Sequence, residues 1–407
     1  MLIQPNEYRQ VLAPLLSDAD HEPQDAFALA AFSKLCEPGD GLAGLLMEQL
    51  SPSALLQQVI ARSQSQVIAD LLGPDSVAQF EDKFESTWDE IWQNAMQRWQ
   101  PRLSRKELIA SLGWLASQKP AARGSLVLRD ADDYPMGFLD LGAHRPYALW
   151  CLGDPQLLAS PNILGIVGSR QVSRYGADVT RDIAAVAGQS GLVTVSGGAF
   201  GVDALVHESA LALGAKTVAV MAGGLGHLYP RSNLQLLQRV AEEGLIFTES
   251  VPEVTPAKFR FLQRNRLIAA LGQATVIVEA GATSGALSTG NHAISLGREV
   301  AVVPGPIDSA YSIGCHDFLN RWLGSVQLLA RPQQILELAG LGLQVPLQLE
   351  SLGRLEKRAL DAFGHRALEA WEVQRLSGLT VKENQIALGS LELLGLIERV
   401  GTSYSRV

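Results

Sequence analysis

The chain has 407 residues, a formal net charge of -9, 47% hydrophobic residues and a mean hydropathy of +0.11. Such a length predicts two or three domains, and such a composition excludes a chain too polar to form a core. No apolar run approaches the ~18 residues of a membrane-spanning helix, and the opening MLIQPNEYRQ predicts no secretory signal.

Cys36, Cys151 and Cys315 are too widely spaced for a disulfide framework or a metal-ligand pattern. They read as buried apolar side chains in a reducing compartment, with the cytosol as the default. Residues 1–120 hold 16 acidic against 9 basic side chains, so most of the negative charge sits there. Between Val254 and Val278 there is no acidic residue.

In chain order, residues 1–115 predict an acidic helical domain: ALLQQVIARSQSQVIADLL and FESTWDEIWQNAMQRW repeat apolar residues at helical spacing. The segment 125–154 reads as a short mixed stretch, with turns at Asp133, Pro135 and His144-Arg145-Pro146. From Asn162 the pattern changes to apolar runs alternating with helices. ILGIVG, LVTVSGG, KTVAVMAGG, LIFTES, ATVIVEA and REVAVVPG lack polar alternation, so they predict parallel strands covered on both faces. Helices are expected over about 175–190, 203–214, 232–244 and 287–297. The fold class is therefore α/β, a doubly wound parallel sheet spanning 116–340 with its lead-in. Residues 341–352 read as a linker, and 353–407 as a winged-helix-like domain whose third helix spans Val381–Leu394 and whose wing is LIERVGTSYSRV. That helix offers only Lys382 as a base, beside Glu383 and Glu392, so a role in protein contact competes with DNA binding.

Ligands of a doubly wound sheet bind at the carboxyl ends of its strands, and five glycine-bearing loops fall there. The first holds Gly168-Ser169-Arg170, where backbone amides, a hydroxyl and a guanidinium could receive an oxyanion. SGGAFGVDALVH, GGLGHLYP, EAGATSGALST and PGPIDS follow. The first turn lacks G-x-G-x-x-G, and no P-loop occurs, which argues against a dinucleotide enzyme or an NTPase. Asp203, His207 and Glu279 could take part in acid–base chemistry, but a structural role is preferred for each; His227, His292 and His316 lack ligand spacing.

KFRFLQRNRLIAAL (258–271) packs Lys258, Arg260, Arg264 and Arg266 around Phe259 and Phe261. It is expected to lie as a loop feeding a helix near the cleft mouth. Cations that follow a phosphate backbone and a ring that stacks on a base suit single-stranded nucleic acid. One of the two phenylalanines is expected in the core.

Across roughly 125–335 the chain resembles the DNA-processing protein A family (DprA, also called Smf). The similarity rests on seven ordered pieces: DDYPMGFLDL…RPYALWCLGD, GIVGSRQVSRYG, TVSGGAFGVDALVHESAL, TVAVMAGGLGHLYP, FRFLQRNRLIAAL, VIVEAGATSGALST and GREVAVVPGPIDSAYSIGCHDFL. The resemblance implies an extended Rossmann fold that binds single-stranded DNA without hydrolysing it. It also implies a cytoplasmic homodimer, with no membrane attachment and no cofactor, that loads RecA during natural transformation and recombination. Carried over by position, Gly168, Ser169 and Arg170 would line a phosphate pocket, while Lys258 and Phe261 would contact backbone and base. Arg264, Asn265 and Arg266 form the matching RNR element, and Gly197, Gly198, Ser284 and Gly285 match further pocket loops. Leu262 replaces a proline found in many members, and SGALST and AALG replace SGSLIT and AGLS; none of these changes removes a charge. A nucleotide phosphoribohydrolase of the lysine-decarboxylase-like group is the alternative, but its PGGxGTxxE motif is absent. A winged-helix regulator sensing a small anion would need a more basic recognition helix.

Overall fold

The computed structural model describes residues 3–16, 21–342, 352–363, 367–393 and 396–406. Its chain divides into two compact units, Met1–Gly342 and Leu343–Val407.

The first unit is built on nine strands: β1 (Gly124–Leu128), β2 (Ala148–Gly153), β3 (Ile163–Val167), β4 (Val193–Ser196), β5 (Thr217–Val220), β6 (Leu245–Thr248), β7 (Ala274–Ile277), β8 (Glu299–Val302) and β9 (Val326–Leu328). They lie in the order β1-β2-β6-β5-β4-β3-β7-β8-β9. From β6 to β9 neighbouring strands are parallel. The apolar runs are buried on both faces, as their lack of alternation predicted. Val195, Val218, Phe247 and Ile277 belong to one core layer, and Leu164, Ile166, Val206 and Val276 to another.

The chain steps outward from β3 to β6, then returns past β3 to form β7 on its other side. The connection is the helix Lys258–Leu271, which packs across β3, β4 and β5. The loops after β3 and β7 thus leave neighbouring strands in opposite directions and open a crevice, the topological switch point of such sheets.

The segment 125–154 is more regular than its mixed composition implied. It forms β1 and β2, which pair antiparallel with each other, and β2 pairs with β6 at Trp150↔Thr248. The N-terminal helices pack on this extension and share one continuous core with it. Within that core the Trp150 indole donates to Ser33 Oγ at 3.0 Å, and the Phe32 and Trp99 rings meet edge-on at 6.0 Å. All three cysteines are buried and free.

The second unit has the helices Arg354–Asp361, Ala370–Ser377 and Val381–Leu393. Its antiparallel sheet has β12 (Ser403–Arg406) between β10 (Leu368–Glu369) and β11 (Ile397–Val400). Most of the expected linker, and Leu394 at the expected end of the third helix, lie outside the described residues.

Candidate functional site

At the carboxyl edge of the sheet, over the switch point, lies a cleft of about 830 Å³. One wall is the loop after β3, with Gly168, Ser169, Arg170 and Gln171; another is the loop after β7, with Gly281, Thr283, Ser284 and Gly285. The third wall is the helix Lys258–Leu271. It presents Lys258, Phe261, Leu262, Arg264, Asn265 and Ile268, a spacing that keeps a helix on one broad face.

The loops are tied to one another. Val202 N–H donates to Ser169 O at 3.2 Å, and a Cβ on Gly201 would sit 2.2 Å from that same oxygen. Gly201 has φ +75, so both its conformation and its surroundings require glycine. Across the cleft, Asn265 Nδ2 donates to Gly285 O at 3.1 Å, fixing the helix to the loop after β7.

Phe261 is partly buried at the cleft wall. The Arg170 guanidinium lies 5.1 Å above its ring, and Tyr229 meets it edge-on at 5.9 Å. Neither phenylalanine is core: Phe259 is 49% exposed and turned away from the cleft lining. The basic stretch is helical from Lys258 onward rather than a loop feeding a helix. Residues two positions apart in a helix are separated by about 200°, so Phe259 and Phe261 point in different directions.

Arg264 forms the floor. It is only 5% exposed, and its Nε and Nη1 have no hydrogen-bond partner. Burial lowers its pKa to about 10; Asp203 pulls it back up and Arg170 pushes it down. Asp203 is itself buried, and burial raises its carboxyl against the opposing pull of Arg264. The charged lining thus comprises Arg170, Lys258 and Arg264 against the single carboxylate Asp203. A buried guanidinium with unmade hydrogen bonds is costly and favours an anion brought against it.

Three expected site residues lie elsewhere. Gly197 does not line the cleft but leaves room for its floor: a Cβ there would fall 1.7 Å from Arg264 Nη1. Gly198, with φ +65, is packed under the side chain of Leu237. Arg266 points to the other side of the helix and forms a buried pair with Glu249 at 2.6 Å. The contiguous RNR triplet concealed this, because a helix sends its first and third residues apart. Conversely, Tyr229 and Asp203 line the cleft without having been singled out for it. For Tyr229 the GGLGHLYP loop was the sequence signal; Asp203 had been named only as an acid–base candidate beside His207.

Of the three acid–base candidates Asp203 lines the cleft, while Glu279 and His207 are committed to structural bonds. Glu279 accepts from the Ser173 amide at 2.9 Å and its hydroxyl at 2.5 Å, holding the start of the helix Arg174–Gln189. His207 Nδ1 lies 2.8 Å from Thr217 Oγ1, and burial drives its pKa down to about 3. Among the described residues no cluster of His, Cys, Asp and Glu could hold a metal ion.

The sequence model of the family described as DNA recombination-mediator protein A matches residues 125–339. The chain belongs to this family. The "Putative DNA processing protein DprA" of Mycobacterium tuberculosis is 39% identical over 294 residues, covering 68% of this chain and 75% of that one. The protein Smf of Escherichia coli is 34% identical over 240 residues, 59% of this chain and 62% of its own. The X-ray structure of DNA processing protein A from Streptococcus pneumoniae superposes with a TM-score of 0.56 at 27% identity, covering 77% of this chain and 96% of that one. Every residue lining the cleft falls inside the span matched to the DNA recombination-mediator protein A family.

Proposed function

We propose that the cleft binds single-stranded DNA, and that the chain is a binding and loading protein rather than an enzyme. Arg264 carries the reading: a buried cation with two unmade N–H bonds, at the floor of a cleft otherwise lined by Arg170 and Lys258, is matched by a phosphate. Phe261 and Tyr229 supply aromatic surface beside those cations for an unpaired base. Gly168, Ser169, Ser284, Gly285 and Asn265 complete the contacts, with Gly197 and Gly198 supporting them.

Membership in a recombination-mediator family supports a role in protecting incoming strands and loading RecA during transformation, as a cytoplasmic homodimer. No helix among the described residues is long and apolar enough to cross a membrane. The C-terminal unit is proposed as a winged helix that contacts protein, since Lys382 on its third helix sits beside Glu383.

Fluorescence anisotropy with labelled oligo-dT and with a duplex of equal length tests the reading. The expected result is tight, salt-dependent binding to dT, weaker binding to duplex, and loss of affinity in Arg170→Ala and Lys258→Ala. Equal affinity for the two, or release of ribose phosphate from AMP, would overturn it.

A further inference from the structure

The helix that carries six cleft residues starts without a side-chain cap. Ala257 occupies its N-cap position in extended conformation (φ -135, ψ 152) and offers no side-chain acceptor. Its first turn holds Lys258 and leads into Phe261, so fraying there would displace both.

A carboxylate from the N-terminal helices holds that turn. Glu37, just beyond the helix Pro23–Leu35, accepts from Arg260 Nε at 3.0 Å and from Arg260 Nη2 at 2.8 Å. The remaining arm of Arg260, Nη1, donates to Thr255 O at 2.9 Å, and its guanidinium covers the Phe259 ring at 4.9 Å. Arg102 Nη2 donates to the same carboxylate at 2.5 Å. Burial raises the Glu37 carboxyl, but the hydrogen bonds from Arg260 and Arg102 outweigh it and hold it below the usual range. Arg260 is absent from the cleft lining, and Glu37 lies outside the residues matched to the family.

We propose that Glu37 is a positioning residue for the nucleic-acid site: through Arg260 it fixes the first turn of the crossover helix, and so the places of Lys258 and Phe261. This gives the acidic helical segment a task at the cleft, and it rests on the reading of the cleft as a single-strand site.

The sign of the effect separates positioning from plain electrostatics. Deleting Glu37 removes a negative charge and frees a cation, which by charge alone strengthens binding to a polyanion. Positioning requires the opposite. In full-length protein at fixed salt, Glu37→Ala is expected to weaken oligo-dT binding roughly tenfold, the factor that about 1.4 kcal/mol represents. Arg260→Ala should weaken it at least as much, since it also loses Thr255 O and a positive charge, and the double variant no further than Arg260→Ala alone, because the Glu37–Arg260 contact is lost in each. Hydrogen exchange should quicken at the Phe261 amide, which is bonded to Ala257 O at 3.3 Å, and stay slow in the helix beyond Arg264. Affinity for dT that Glu37→Ala leaves unchanged or strengthens, in a protein whose wild type binds, overturns this inference alone. A wild type that fails to bind dT overturns the cleft reading and the inference together.

Discussion

Two arginines two positions apart in one helix make the residue scale informative. Arg264 lines the cleft, whereas Arg266 lies off it and is bonded through Nη2 to Glu249. Arg264→Ala is therefore expected to lower dT affinity sharply, with a smaller loss of folding stability than Arg266→Ala because Asp203 keeps the Ala199 N–H. Arg266→Ala should do the reverse: it leaves the Glu249 carboxyl buried and unpaired, a cost of about 3–5 kcal/mol in denaturant unfolding. Phe261→Ala should forfeit about 1–3 kcal/mol of binding, the worth of one stacked base. A pH prediction attaches to His207. Its folded pKa of about 3 lies below its unfolded value, so the unfolded chain takes up the proton first. The contribution of this histidine to stability is constant above about pH 6.5 and declines as pH falls from there toward 3. An imidazole that titrates near neutrality in the NMR spectrum of the folded protein would contradict it.

At the scale of elements, the cleft depends on loops that touch through glycine. Gly201→Ala places a methyl against Ser169 O and strains a left-handed backbone, so it should misplace the Gly168-Ser169-Arg170 loop. Weaker dT binding together with a lower Tm is the expected outcome. These loops were legible in the sequence because each glycine cluster follows an apolar run too short for a helix. The strands themselves were legible because burial on both faces removes polar alternation. β1 and β2 were not, since the stretch joining them is dense in polar and turn residues and β6, the second partner of β2, lies about a hundred positions away. The start of the crossover helix was hidden for a different reason. Its N-cap is Ala257, which has none of the usual capping side chains, and what holds its first turn is a tertiary contact from Glu37. Local pattern cannot show a cap contributed by another segment.

For the whole molecule, the charge balance is misleading unless it is divided by region. A net charge of -9 coexists with a cleft lined by three cations, because the excess acid belongs to the N-terminal helices. Each single-strand phosphate contact contributes about -0.7 to the slope of log affinity against log salt, so these three cations predict a slope near -2. Replacing any one of them should flatten it by about 0.7, which a salt titration of dT binding measures. The division into two compact units further predicts that a fragment ending at Gly342 retains the dT affinity of the full chain. The Glu37–Arg260 contact also has a consequence for biosynthesis. Its partners are 223 positions apart, so a ribosome adding about 5–20 residues per second completes Glu37 roughly ten to forty-five seconds before Arg260 exists. During that interval Glu37 waits without Arg260. The nascent chain can therefore engage a strand only after translation has passed the crossover helix and β7.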